Sequence, residues 1–289
     1  MTPGYCAVVV TFRRPESLRV TLRSVMAQRH RPNFVVVADN DSGRSAERII
    51  AEETWPVPVI NLPMPRNVGP AGGWGAATRY AGQRDDRGEW LLVLDDDDPI
   101  RHPDVVGSLL DQVPAADVAA VGLKGATVIR PFGLLRRVHG PMGPADYLSG
   151  GGLPLYRWAA LDAAGGFDES LFFGFEDLDI GLRLRARGWS LLAVDDAEQP
   201  VAGTNPRRTP WREYYKARAL VTIVRRHLGP TVTTLTLIRL GFGGARLLIT
   251  DGGKVATARL LGIADGVRGR LGVRRYDPQG NPPKGEPPS

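Results

Sequence analysis

Disulfides are the first thing this chain does without. Its 289 residues contain one cysteine, Cys6, so no intramolecular bridge can form. Cys6 lies in an apolar strand-like run and reads as a packed core thiol. The missing disulfide framework fits a reducing cytoplasm. Histidine is nearly absent too, with only His30, His102, His139 and His227. No uninterrupted apolar run approaches the roughly 18 residues expected of a membrane span. No charged leader with a long apolar core precedes the first strand, so no signal peptide is expected. The first strand lacks the glycine-rich, Arg/Lys-containing triphosphate loop of a nucleotidylyltransferase. No aromatic platform or recognised module supports nucleic-acid binding.

What is present is a charge split. The net charge is +6, yet residues 207–275 alone carry 15 Lys/Arg against 3 Asp/Glu, leaving the remainder at −6. Such a block suggests an anionic partner surface for the C-terminal part. The acidic counterpart is the run Asp95-Asp96-Asp97-Asp98, set directly after Trp90-Leu91-Leu92-Val93-Leu94. Carboxylates this close repel, and burial disfavours their ionised form. A solvated acidic turn is one reading. A hard divalent cation, Mg²⁺ or Mn²⁺, shared with substrate phosphates is the other. The position at a strand's C-terminal end favours the cation, because α/β proteins bind ligands there.

Apolar runs and amphipathic stretches alternate along the first half. Strands are predicted over 5–12, 34–38, 57–62, 90–94 and 119–123. Helices are predicted over about 15–28, 45–53, 74–81 and 104–112. The alternation predicts a mostly parallel, doubly wound α/β sheet. Arg66 to Gly73 reads as a glycine-rich loop entering a helix. The stretch 125–148 reads as a flexible, irregular acceptor-side loop. Further on, a short strand is predicted near 153–156 and helices over about 157–164, 176–187, 211–227, 233–249 and 254–271. Residues 277–289, rich in Pro and Gly, should be disordered. Three segments follow: 1–206, an α/β domain; 207–275, a basic amphipathic helical extension; 276–289, a disordered tail.

Three acidic positions could converge on one rim of the sheet: Asp39, Asp95–Asp98 and Glu176-Asp177. Each has a plainer reading. Asp39 could cap a turn, and Glu176 and Asp177 suit a helix N-terminus. Taken together with the aspartate run, they read as one site.

The motifs Val8-Val9-Val10-Thr11-Phe12-Arg13-Arg14-Pro15, Val35-Val36-Val37-Ala38-Asp39-Asn40-Asp41-Ser42, Arg66-Asn67-Val68-Gly69-Pro70-Ala71-Gly72-Gly73, Leu94 to Asp98, and Gly165 to Asp179 with Gly188-Trp189 together resemble the family 2 glycosyltransferases of GT-A fold. Within them the chain looks most like actinobacterial-type rhamnosyl- and galactofuranosyltransferases of cell-wall assembly. The resemblance implies an inverting transfer from a UDP- or dTDP-sugar to an acceptor hydroxyl on a lipid-linked or cell-wall glycan. It implies that Thr11, Arg13 and Asp39 hold the nucleobase and ribose. Asn67 and Gly69 would admit the donor closely, and Gly151 and Gly152 would floor the donor sugar. Asp95 and Asp97 would bind Mg²⁺ or Mn²⁺, Asp96 would touch the sugar or ribose, and Asp177, beside Glu176, would be the general base. A non-catalytic nucleotide-sugar-binding scaffold of a membrane assembly is the alternative. One departure stands out. Many relatives carry a metal-binding histidine some two dozen residues after the base, where this chain has Gln199 to Asn205 without one.

In the C-terminal block, Leu235, Ile238, Phe242, Ala245 and Ile249 form one apolar stripe, and Ala256, Leu260, Ile263, Val267 and Leu271 a second, amid arginines. Such helices either lie on an anionic membrane or pack on the catalytic domain. The first makes the enzyme peripheral on the inner face of the plasma membrane, where it would share a surface with a lipid-linked acceptor.

Overall fold

Strand β1 (Tyr5–Thr11) is buried at every position, which explains why it reads as a continuous valine-rich run: both faces of a parallel sheet are covered. The computed structural model describes residues 2–113, 116–130, 132–194 and 208–276. The expected tail at 277–289, the proposed boundary at 206 and the stretch Gln199 to Asn205 lie outside them.

β1 pairs in parallel with β2 (Val35–Asp39) on one side and β4 (Trp90–Asp95) on the other, and β3 (Val59–Pro63) extends the sheet beyond β2. Helices α1 (Pro15–Met26), α2 (Ser45–Ala51) and α3 (Gly69–Gly82) are the crossovers. α4 (Val105–Asp111) leads into β5 (Val118–Gly122). Further strands are β6 (Gly125–Ile129), β7 (Leu134–Arg137), β8 (Gly143–Pro144), β9 (Tyr147–Leu148), β10 (Leu155–Arg157) and β11 (Ser190–Ala193). The main sheet has eight strands in the order β3-β2-β1-β4-β10-β5-β11-β8. β10 and β8 run antiparallel to their neighbours, so the fold is mixed α/β with a mostly parallel core. Side chains alternate between two cores: Cys6, Val8 and Val10 join Trp74 and Leu91 on one face, and Tyr5, Ala7 and Val9 join Leu18, Leu22 and Leu92 on the other. Burial pushes the Cys6 thiol up to about 12, as a core thiol requires.

Two expectations need correction. The glycines of 69–73 are not loop but the first turns of α3. Gly69, at φ +72°, makes the entry, and a Cβ on Gly73 would press within 2.9 Å of Val10. Small residues let this helix lie close on β1. The stretch 125–148 is not an irregular loop either. It forms a three-stranded antiparallel sheet, β7-β6-β9, with β8 at the edge of the main sheet. β11, which periodicity did not reveal, pairs in parallel with β5.

α5 (Trp158–Ala164) and α6 (Glu176–Ala186) lie between β10 and β11 in the chain. Three C-terminal helices follow: α7 (Pro210–His227), α8 (Gly229–Thr250) and α9 (Gly253–Val267). α7 seats Ala219, Leu220, Ile223 and Val224 against Leu178 and Leu182 of α6. α9 then crosses α7 at very short range. A Cβ on Gly262 would overlap the Tyr214 carbonyl oxygen, and one on Gly266 would lie 2.8 Å from that of Arg218. Buried Arg218 donates to the Leu171 and Gly272 carbonyls at 2.8 and 2.6 Å. Asp265, also buried, accepts from the Tyr214 hydroxyl at 2.7 Å and from Arg275 at 2.6 Å. Burial alone would raise its carboxyl, but these partners hold it down to about 2.

α8 is different. It is long and apolar enough to cross a membrane by length and composition, which no uninterrupted run in the sequence announced. Threonines and the separated Arg239 and Arg246 break the run without making the whole helix polar. Only 22% of its most apolar window is buried. Phe242 and Ile249 are 76% and 87% exposed, and Ile238, Leu248 and, on α9, Leu260 are exposed beside them.

The α7–α9 crossing generates a test. Gly262→Val should destabilise the protein by about 1–3 kcal/mol, the usual cost of overpacking a close contact. Chemical denaturation would read this, and a neutral result would show that the two helices do not meet as described.

Candidate active site

Register brings the acidic residues together. Thr11 pairs with Asp39, and Val10 with Asp95, so three strand ends share one rim. A cleft of about 350 Å³ opens there, lined by Thr11, Phe12, Arg14, Asn40, Asn67, Gly69, Asp95, Asp96 and Asp97. Its remaining wall is Phe172, Phe173, Trp211 and Arg212.

Asp96 is buried at the cleft's base. It accepts from the Thr11 hydroxyl at 2.8 Å, the Phe12 amide at 3.3 Å and Arg14 at 3.3 Å. Arg14 also holds exposed Asp97 at 2.6 Å. Asp95 is crowded by Asp98, Glu176, Asp96 and Asp97, and desolvation with this repulsion raises its carboxyl well above the usual range. Burial and Asp97 push Asp98 up to about 6, although Lys124 opposes the shift. Asp98 Oδ2 accepts the Asp95 amide at 3.3 Å, closing the turn.

Glu176 and Asp177 open α6 behind Asp95. Phe175, at φ +63°, makes the sharp entry. Glu176 is buried, and its Oε2 has no hydrogen-bond partner among the described residues. Burial and the neighbouring Asp177 push its carboxyl up to about 8. Asp177 is raised to about 6 by burial, tempered by the Leu178 and Gly150 amides. Gly150–Gly152 forms a short 3₁₀ turn. A Cβ on Gly150 would lie 3.8 Å from Asp95 Oδ2, so this backbone runs between the two acidic elements. Gly152 lies against Lys124, whose ammonium reaches the Gly151 carbonyl at 3.5 Å.

The structure does not bring every candidate to the cleft wall. Asp39 is fully buried, and its two oxygens accept the Asp41 and Ala46 amides at 2.9 and 3.0 Å. In this arrangement it holds a turn rather than facing a nucleotide, because the α2 entry folds back over it. Arg13, at φ +55°, points its guanidinium to Asp41 at 3.4 Å on the exposed rim. Asn67 and Gly69 do line the cleft, with Asn67 Oδ1 accepting the Gly69 amide at 2.9 Å. Sequence reasoning missed Arg14, Phe173, Trp211 and Arg212. The only local signal was a tryptophan-arginine pair at the start of a helix, which carries no positional information by itself.

No three Asp, Glu, His or Cys side chains among the described residues form a ready-made metal cage, and no histidine lines the cleft. The acidic set still fits a divalent cation that takes its other ligands from phosphate and water. The unpartnered Glu176 oxygen and the mutual repulsion around Asp95 are what a nearby positive charge would relieve. His227, at the far end of α7, is committed to Asp179 at 2.9 Å.

Residues 6–148 match the family described as Glycosyl transferase family 2. The galactofuranosyltransferase GlfT1 of Mycolicibacterium smegmatis is 32% identical over 120 residues, covering 42% of this chain and 38% of that protein. The O-antigen biosynthesis protein RfbC of Myxococcus xanthus is 26% identical over 216 residues, covering 63% of this chain and 16% of that protein. The matches thus span well under half of these curated relatives. Among solved structures, the mannosyltransferase PcManGT of Pyrobaculum calidifontis, in complex with GDP-Man and Mn²⁺, has a TM-score of 0.61 at 16% identity, covering 92% of this chain and 88% of that one. S. aureus TarS 1–349 has a TM-score of 0.52 at 15% identity, covering 92% of each chain. These likenesses show a shared GT-A fold.

The raised Glu176 carboxyl has a consequence for stability. Between its ordinary 4.5 and about 8 the folded state binds the proton that the unfolded chain has released. Stability contributed by protonated Glu176 is therefore present at low pH and lost as pH rises through that window. Glu176→Gln should flatten this decline and be the more stable form near pH 8 in chelator-treated protein. Urea midpoints taken from pH 5 to 8 would read it, and parallel curves for the two proteins would count against a buried, protonated Glu176.

Proposed function

Residues 6–148 belong to glycosyl transferase family 2, and from that membership and the carboxylate cluster we propose that the protein transfers a sugar from a nucleotide-diphosphate donor to an acceptor hydroxyl. The observation that carries this is that Asp95–Asp97 line a cleft at the carboxyl ends of the strands while Glu176, which opens α6 beside Asp177, lies close enough to Asp95 to raise its carboxyl. The name of the galactofuranosyltransferase relative supports galactofuranosyl transfer, and the motif resemblance extends the proposal to a UDP- or dTDP-sugar donor and to rhamnosyl transfer. The O-antigen biosynthesis name of the second relative supports a glycan acceptor, here proposed as a lipid-linked or cell-wall glycan.

In this reading Asp177 takes the acceptor proton while the acceptor oxygen attacks the anomeric carbon. The donor diphosphate leaves from the opposite face, so configuration inverts. A carboxyl raised to about 6 is well tuned for a base working near neutrality. Glu176, pushed higher by the same burial, is protonated there and keeps the local negative charge down. Asp95 and Asp97 would hold Mg²⁺ or Mn²⁺ jointly with diphosphate oxygens. When bound, the cation supplies Lewis-acid stabilisation of the leaving group. Asp96 is spoken for by Thr11, Phe12 and Arg14 and serves to set the cleft floor.

Asp177→Asn should cut turnover by roughly 10²–10⁴-fold while nucleotide-sugar affinity stays within a few-fold. In the wild type, turnover should climb as pH rises through about 6, where the base loses its proton. Single-turnover assays with a panel of UDP- and dTDP-sugars would decide this. A folded Asn variant with normal turnover would remove Asp177 from the role, and wild-type protein that binds these sugars without turning any over would favour the scaffold reading.

The exposed apolar residues of α8, flanked by Arg239 and Arg246, support attachment to an anionic membrane. Each lysine or arginine near such a surface contributes about 1 kcal/mol, and screening weakens it. The protein should float with vesicles containing phosphatidylglycerol, and less so at high salt or with neutral lipid. Failure to float at low salt would assign the apolar face to a protein contact. Flotation that withstands both high salt and alkaline carbonate would point to insertion of α8 rather than surface attachment.

A further inference from the structure

The cleft has a wall that the chain supplies from outside the matched family region. Phe173 and Trp211 meet edge to face at 4.9 Å. The Arg212 guanidinium lies over both rings, its Cζ 5.0 Å from the Trp211 centroid and 5.6 Å from that of Phe173. Two aromatic faces hold a cation in place and strip part of its water. Arg212 makes no ion pair or hydrogen bond among the described residues, unlike Arg14, which is tied to Asp96 and Asp97. Desolvation, followed by the like charge of Arg14, lowers its proton affinity, while Asp97 partly restores it. A guanidinium stays charged regardless. Among the described residues it is therefore a half-buried cation with Asp97 in electrostatic range but no ion-pair partner in contact, set on the wall of a cleft also lined by Asp95, Asp96 and Asp97.

We infer that Arg212, presented by the first turn of α7 on the Phe173–Trp211 pair, is a binding residue for the donor diphosphate and neutralises it as the leaving group departs. This rests on the glycosyl-transfer reading above and names a residue of that same site. The planar fork of an arginine matches the oxygens of a phosphate. A terminal phosphate bears its developing charge at the step when the sugar–oxygen bond breaks, so a fixed cation there acts on the transition state. Arg212 lies within electrostatic range of Asp97 and Arg14, so it would share the diphosphate with whatever cation the aspartates hold. The aromatic pair explains why the position is preorganised: the guanidinium has few rotamers left to lose. It also gives α7 a part in chemistry and not only in packing.

Calorimetry of UDP and dTDP against UMP and dTMP, on the full chain with Mn²⁺ present, separates the outcomes. Arg212→Gln should weaken the diphosphates by about 10- to 100-fold, the range of one charge-assisted contact, and leave the monophosphates within about threefold. Arg212→Lys should recover part of the loss, since the charge survives without the fork. Trp211→Leu should show a smaller loss of the same kind, because the cation is no longer held. Thermal unfolding of each variant checks that α7 is still docked. Equal diphosphate affinity in the wild type and Arg212→Gln overturns the assignment and leaves the glycosyl-transfer reading standing. A parallel loss of mono- and diphosphate overturns it as well, since the residue would then act only through the shape of the cleft. Wild-type protein that binds none of these nucleotides overturns both.

Discussion

Crowded carboxylates taken out of water at the end of a buried sheet are costly, and much of this molecule is arranged around that cost. Asp95 feels four other carboxylates, and Glu176 feels Asp177 at its side. Desolvation and repulsion act in the same direction on each of them, favouring the neutral form. The fold answers with three kinds of compensation: the Arg14 guanidinium on Asp96 and Asp97, the Lys124 ammonium towards Asp98, and backbone amides on Asp96, Asp98 and Asp177. None of these reaches the buried Glu176 oxygen. What remains is a deficit of positive charge, concentrated where a donor and its cation would sit.

That deficit connects the catalytic layers to the C-terminal helices. α7 is attached to α6 by an apolar seam, and the same helix carries Trp211 and Arg212 into the cleft. α9 clamps α7 from the other side through Gly262 and Gly266 and the Asp265 network. A displacement of α9 would therefore be felt by the wall of the cleft. The remaining helix, α8, packs least and exposes the most apolar surface.

The inward placement of two acids at the start of α6 has a local cause. Its first residues follow a left-handed turn at Phe175, which throws Glu176 and Asp177 inward instead of leaving them at a solvated helix start. Helix-dipole stabilisation would have sufficed to explain two acids at an N-terminus. Burial of Glu176, and the raised carboxyls of both residues, show an environment that such a plain role does not need.

The amino-acid sequence by itself determined the layering of the first half and the order of the acidic elements. Both are local properties: apolar runs of strand length, amphipathic spacing, and carboxylates placed at the ends of those runs. Strand and helix ends were legible to within a few residues for β1, β4, α1 and α6. What only the tertiary structure decided depends on partners far away in the chain. The antiparallel sheet at 125–148 exists because β6 pairs with β7 and β9, and β8 instead finds β11 at the edge of the main sheet; the glycines and prolines of this stretch signal only turns. The glycines after Asn67 are helical because Val10 and Phe172 leave no room for side chains. Asp39 ends at the correct rim, yet the fold-back of α2 turns its carboxylate to backbone amides. Arg212 faces the aspartates across more than a hundred residues of intervening chain. No periodicity records such a meeting, because it is set by how α7 packs on α6 and not by any pattern within α7.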